Sequence, residues 1–271
     1  MRRTIFFVSD GTGITAETIG HSLLTQFDGI QIRQVRLPFV DNPVKAQEAR
    51  EKIEAAAEDS ASRPIVINTL VDPELSRIIA QSSALVLDIF DEYISRLEHE
   101  LGVKRCHRVG QAHGLVDYQT YENRMDATNY ALKHDDGADV NYDHADVILV
   151  GVSRSGKTPT CLYMALHYGV KAGNYPLTPD DLDALALPPR LKPHKKKLFG
   201  LTIDPMRLKQ IREIRRPNST YADLKQCQRE VADAESLFRL HGIQSLNTTH
   251  TSIEEIASKI LLEFDLQRNL F

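Results

Sequence analysis

The chain has 271 residues, enough for one large domain or two ordinary ones, and its 42% hydrophobic and 26% charged residues are the balance of a globular protein in water. A formal net charge of −4 argues against general nucleic-acid binding, which rests on a basic excess, and no apolar run approaches the ~20 residues of a membrane span. Three cysteines (Cys106, Cys161 and Cys227), odd in number and without C-x-x-C spacing, predict free thiols in a reduced cytoplasm.

The first ten residues carry an apolar core too short for a signal peptide and cut off by Asp10, so they read as a strand over 5–8. Helical periodicity follows over 15–27, a strand over 32–37, an alanine-rich helix over 43–57 and a strand over 64–70. A short helix over 73–80, a strand over 84–87 and a helix over 92–101 complete the first block. Strands separated by helices predict a parallel sheet covered on both faces. Residues 102–122 break the rhythm and read as a linker or active-site loop. Cys106-His107 with His113 there offers metal-ligating side chains but no fourth ligand. A helix over 124–132 stops at His134-Asp135-Asp136-Gly137. The second block holds strands over 147–150, 197–203 and 244–247, and helices over 161–168, 205–216, 221–241 and 253–264. The expected fold is therefore α/β: an N-terminal parallel α/β domain over 1–105 and a C-terminal P-loop kinase-like α/β domain over 106–271.

Residues 146–158 carry the most specific motif. A strand-like run, Val147-Ile-Leu-Val150, leads into Gly151-Val152-Ser153-Arg154-Ser155-Gly156-Lys157-Thr158, a complete G-x-x-x-x-G-K-T loop, and helix-compatible residues follow. The glycines let successive N–H groups face phosphate oxygens, Lys157 supplies charge to the terminal phosphates, and the Thr158 hydroxyl suits Mg²⁺. The helix adds the positive end of its dipole, and Pro159 sits in its first turn, where a missing N–H costs little.

Phosphoryl transfer asks for the phosphates to be held, the metal held, charge neutralised and the acceptor oriented. A metal-holding acid at a strand end fits Asp204, after 198–203, and less well Asp88, after 84–87; both equally fit helix N-caps. The cluster His134-Asp135-Asp136 is the best candidate for general acid–base work, although Asp-Asp-Gly is also turn chemistry. Cationic help is available from Arg154, or from a helix face carrying Arg212, Arg215 and Arg216 at i, i+3 and i+4. Lys192 and Lys195 to Lys197 form a basic run of surface type. Ser9-Asp10-Gly11-Thr12-Gly13 after the first strand is either a second anion nest or a tight turn capped by Asp10 or Thr12.

Together these motifs give the chain a resemblance to the bacterial phosphoenolpyruvate synthase regulatory proteins, relatives of the pyruvate, phosphate dikinase regulatory proteins. The resemblance spans nearly the full length. It rests on Ser9-Asp10-Gly11-Thr12-Gly13 with Thr15-Ala16-Glu17, on Leu37-Pro38-Phe39-Val40, on His134-Asp135-Asp136-Gly137 and on the loop 151–160. Asn174-Tyr175-Pro176-Leu177 and Gly200-Leu201-Thr202-Ile203-Asp204-Pro205, running into Arg207-Leu208 and Ile211-Arg212, complete it. It implies a bifunctional cytoplasmic enzyme, expected to be a homodimer, acting on phosphoenolpyruvate synthase rather than on the dikinase. ADP would phosphorylate a synthase threonine and inactivate it; inorganic phosphate would remove that phosphate as pyrophosphate. On that reading 151–158 holds the β-phosphate of ADP, Thr158 and Asp204 serve Mg²⁺, and Lys157 with His134 and Asp135 or Asp136 forms the catalytic set. The alternatives are a P-loop kinase of small metabolites and a non-catalytic ADP-sensing adaptor. A GTPase is disfavoured because no Asn-Lys-x-Asp motif is present.

Overall fold

The computed structural model describes residues 2–59, 62–106, 118–135 and 141–266. The chain divides into two compact units, Met1–Gly114 and Leu115–Phe271.

In the first unit, β1 Arg2–Val8, α1 Ile14–Leu24, β2 Gln31–Leu37, α2 Pro43–Glu58, β3 Ile65–Asn68, α3 Pro73–Ala80, β4 Leu85–Asp88 and α4 Ile89–Leu101 follow one another. The strands form one parallel sheet in the order β2-β1-β3-β4. The period of two along β1 sorts its side chains between two layers. Phe6 and Val8 pack with Ala46, Ala49 and Ile53 of α2 and with Leu75 and Ile79 of α3, while Ile5 and Phe7 pack with Ala16 of α1. Helix entry is set by side chains: Asn42 caps α2, Asp72 caps α3 and Asp88 caps α4.

The second unit repeats this logic. It comprises α5 Tyr118–Lys133, β5 Val147–Gly151, α6 Lys157–Tyr168, β6 Ala172–Pro176, α7 Pro179–Ala184, β7 Leu198–Thr202, α8 Pro205–Arg215, α9 Leu224–His241, β8 Ser245–Asn247 and α10 Ile253–Glu263. The parallel sheet runs β6-β5-β7-β8. All five residues of β5 are buried, as a parallel strand covered on both faces must be. Ile148 and Val150 face one core with Leu208, Val231 and Phe238; Val147 and Leu149 face the other with Met164, Ile256 and Ile260. No helix among the described residues is long and apolar enough to cross a membrane.

The α/β class and most elements agree with the sequence expectation to within a few residues, with two additions, β6 and α7. β6 reads Ala-Gly-Asn-Tyr-Pro, a poor strand composition with no alternation. It forms because it is an edge strand zipped along the whole of β5, where a proline is tolerated.

Candidate active site

The site is built where β5 turns into α6. Gly151 ends the strand, and a Cβ there would collide with the backbone carbonyl of Leu201 on β7, so this position demands a bare backbone. Arg154 (φ 76°) and Gly156 (φ 93°) both take the left-handed conformation and throw the chain into α6. A non-glycine residue held there stores strain, a feature that clusters at functional sites. No side chain caps the N-terminus of α6. Its first N–H groups and its dipole therefore face the cleft, as anion binding requires.

The loop is clamped from outside. Arg212 of α8 is fully buried and donates to the Ser153 carbonyl (3.2 Å), the Tyr221 carbonyl (3.0 Å) and the Glu230 carboxylate of α9 (2.6 Å). Its guanidinium lies 4.2 Å from the Tyr221 ring centroid, and the Tyr221 hydroxyl shares a 2.9 Å hydrogen bond with the Ser153 hydroxyl. On the other side, Thr248, just after β8, donates to the Ser155 carbonyl at 3.1 Å.

Inside the loop, Lys157 is 4% exposed, and its Nζ donates to the carbonyls of Gly151 (2.9 Å) and Val152 (2.8 Å). Burial pulls its pKa down to about 7 from the ordinary 10.5. The next hydroxyl belongs to a three-way cluster. Thr158 Oγ1 donates to Asp135 Oδ1 at 2.5 Å, and Asn174 Nδ2 donates to Asp135 Oδ1 (2.9 Å), the Asp135 carbonyl (2.5 Å) and Thr158 Oγ1 (3.1 Å). Asp135 is brought here from beyond the end of α5, and Asn174 from β6, whose backbone N–H bonds the His134 carbonyl at 3.2 Å. Asp135, Ser153, Arg154, Gly156, Lys157, Thr158, Asn174 and Arg215 line one cleft of about 500 Å³.

The other expected residues divide clearly. His134 is not a cleft residue. Its ring stacks on Tyr130 at 3.7 Å, and its nitrogens face the carbonyls of Tyr130 (2.6 Å) and Asn141 (3.1 Å), so it fastens the segment that delivers Asp135. Asp136 lies outside the described residues, as do His107 and His113. Asp204 caps α8 by accepting from the Arg207 N–H at 3.0 Å, and it lines a separate pocket with Met206, Arg207, Asn247 and His250. Asp88 also serves as a cap, bonded to the Asp91 N–H, Asn68 and Ser76. The expected arginine face is split: Arg212 is structural, Arg215 reaches the cleft, and Arg216 is the C-cap of α8. Lys197 donates to the Asp143 and Ala145 carbonyls, which removes it from the basic run. Asn174 carried no role in the sequence reading beyond its place in the resemblance; only the fold shows its contact with Thr158.

The cleft thus offers an uncapped helix start, a buried lysine, two arginines and a hydroxyl–carboxylate pair. Such a donor set suits a phosphate chain with a hard divalent cation: backbone N–H groups and cations for the phosphates, oxygen ligands for the metal.

Comparisons with known proteins agree in extent with this full-length architecture. A kinase/pyrophosphorylase family model matches residues 5–261. A protein of Stenotrophomonas maltophilia (strain R551-3), provisionally named a phosphoenolpyruvate synthase regulatory protein, is 62% identical over 269 residues, 99% of this chain and 98% of that one. Proteins under the same provisional name from Xylella fastidiosa (strain M12) and Xanthomonas campestris pv. campestris (strain B100) are 58% identical over the same share of each chain.

Proposed function

The chain belongs to the kinase/pyrophosphorylase family, and from that premise we propose that it switches phosphoenolpyruvate synthase off and on. In one direction a synthase threonine hydroxyl attacks the β-phosphorus of ADP, the bond to the bridging oxygen breaks, and AMP leaves. In the other, an oxygen of inorganic phosphate attacks the phosphothreonine, giving pyrophosphate and the free hydroxyl. The threonine loses a proton in the first step and regains one in the second.

Both directions place a transferring phosphoryl group in the same surroundings, so one cradle serves both. The start of α6 receives the phosphoryl oxygens. Lys157 moves from its two carbonyl partners to the phosphate. Arg154 and Arg215 at the cleft wall add positive charge. Mg²⁺, when bound, neutralises charge gathered on the phosphates. Thr158 is the loop residue that would hold it, and a carboxylate of the pair Asp135 and Asp136 takes and returns the threonine proton.

The observation that carries this reading is the convergence of Lys157, Thr158 and Asp135 on one cleft beneath an uncapped helix start. The test is a labelling assay on purified phosphoenolpyruvate synthase with β-labelled ADP beside γ-labelled ATP. Label on a synthase threonine from ADP, released as pyrophosphate when phosphate is added, supports the proposal. Lys157→Met should then lose both activities by at least about a hundredfold, the order lost when one electrostatic donor is removed. Label from neither donor sinks it and turns the search to small-molecule acceptors or to a sensor.

A further inference from the structure

We infer that Asp135 and Asn174, rather than Asp204, complete the divalent-metal site of the cleft. This deepens the phosphoryl-transfer reading and rests on it. In phosphate-loop enzymes the metal sits between the loop hydroxyl and a nearby carboxylate. The carboxylate beside the Thr158 hydroxyl is that of Asp135, at 2.5 Å. By donating its proton to Asp135 while accepting from Asn174 Nδ2 at 3.1 Å, Thr158 keeps one oxygen lone pair for a cation, the arrangement by which a neighbouring acceptor tunes a metal ligand.

Asn174 adds the independent sign of a missing ligand. It is 4% exposed and lines the cleft. Its amide orientation is fixed by chemistry: two Asp135 oxygens, one carboxylate and one carbonyl, face the same amide atom, which must therefore be the NH₂ group. That leaves Oδ1 as a buried oxygen with no hydrogen-bond partner among the described residues. A buried acceptor left unpaired costs stability and calls for a partner that the described residues do not supply. A neutral carbonyl oxygen beside a hydroxyl and a carboxylate is the kind of hard donor that Mg²⁺ or its bound water accepts.

Asp204 offers none of this. Its carboxylate is engaged by the Arg207 N–H, its backbone N–H bonds Thr249, and the pocket it lines shares no residue with the cleft. It follows that Asp135 is committed to Thr158 and the metal, and that the threonine proton goes to another group.

The test is a Mn²⁺ titration of the full-length protein followed by electron paramagnetic resonance, with and without ADP. Asp135→Asn and Asn174→Ala should weaken Mn²⁺ binding in the ADP complex by roughly 10- to 100-fold, the range seen when a metal's supporting groups are removed. Both variants should keep the wild-type circular dichroism and a cooperative thermal unfolding transition, which shows that they are folded. Asp204→Asn should keep the wild-type Mn²⁺ affinity. Loss of Mn²⁺ in Asp204→Asn with retention in Asp135→Asn overturns the inference while leaving the phosphoryl-transfer reading intact. A wild-type protein that binds neither ADP nor Mn²⁺ overturns both. If Asp135→Asn fails to fold by these measures, Asn174→Ala decides alone: unchanged Mn²⁺ affinity there overturns the role of its Oδ1.

Discussion

A buried ammonium loses its water, and at Lys157 two backbone carbonyls are what replaces it. Burial outweighs them and sets the pKa near 7. The consequence has a definite sign. Below about pH 7 the empty loop carries the charged lysine; above it the amine is neutral, whereas a bound phosphate holds it protonated. Anion binding above pH 7 therefore takes up a proton, and affinity for ADP should fall by up to about tenfold per pH unit until the bound-state pKa is reached. Calorimetry in buffers of different ionisation heat, from pH 6 to 8.5, reads both the affinity and the proton uptake. A flat profile with no uptake would mean that the empty loop keeps its charge. The same shift predicts that the empty protein gains stability from this group as pH rises from about 7 towards 10.5, because there the unfolded chain holds more protons. Lys157 and Thr158 were legible from spacing alone, since the loop is local. Asn174 was not, because its contact with Thr158 spans 16 residues and depends on a strand that composition hides.

At the scale of elements, the loop's shape depends on α8 and α9. The sequence places Arg212, Arg215 and Arg216 on one face, which suggested three equivalent cations. Packing instead buries Arg212 between Ser153, Tyr221 and Glu230, and that outcome turns on a carboxylate 18 residues further along the chain. Helical spacing shows which side chains share a face but not what the face meets. Removing one partner of a buried ion pair leaves the other uncompensated, so Arg212→Met should cost about 3–5 kcal/mol in denaturant unfolding. The double variant with Glu230→Leu should recover much of that stability, because replacing both charges by apolar groups is often neutral. ADP affinity should stay weak in the double variant, since the Ser153 carbonyl has still lost its clamp. If affinity returned along with stability, the clamp would concern folding alone. The same distinction explains His134 and Asp204. A histidine beside aspartates, and an aspartate at a strand end, both fit chemistry and fit fastening, and hydrogen bonding assigns both to fastening.

At the scale of the whole molecule, two parallel sheets each present a glycine-containing turn after a buried strand; the sequence marks 151–158 as a phosphate loop and leaves 9–13 as an anion nest or a tight turn. The apolar runs of β1 and β5, set between helical segments, made both sheets legible, but the electrostatics of the turns was not. In the first unit, Gly13 (φ 85°) starts α1 without a side-chain cap, much as Gly156 starts α6. There, however, a carboxylate already belongs to the turn. The half-buried Asp10 carboxylate accepts from the Val71 N–H at 2.9 Å, while burial raises its pKa. Asp10 does not cap α1: it ties the turn to the segment after β3, and a second anion would meet its charge. The loop at 151–158 holds no carboxylate, and its own cations line the cleft. ADP should accordingly slow amide hydrogen exchange in peptides covering 151–160 and 172–177 and leave those covering 9–13 and 65–72 unchanged. Protection at 9–13 would show that Asp10 yields its place, and would move the nucleotide phosphates to the first unit. Protection confined to the second unit would assign phosphate binding to that unit alone, in keeping with a glycine turn whose uncapped helix start has Lys157 and Arg154 beside it.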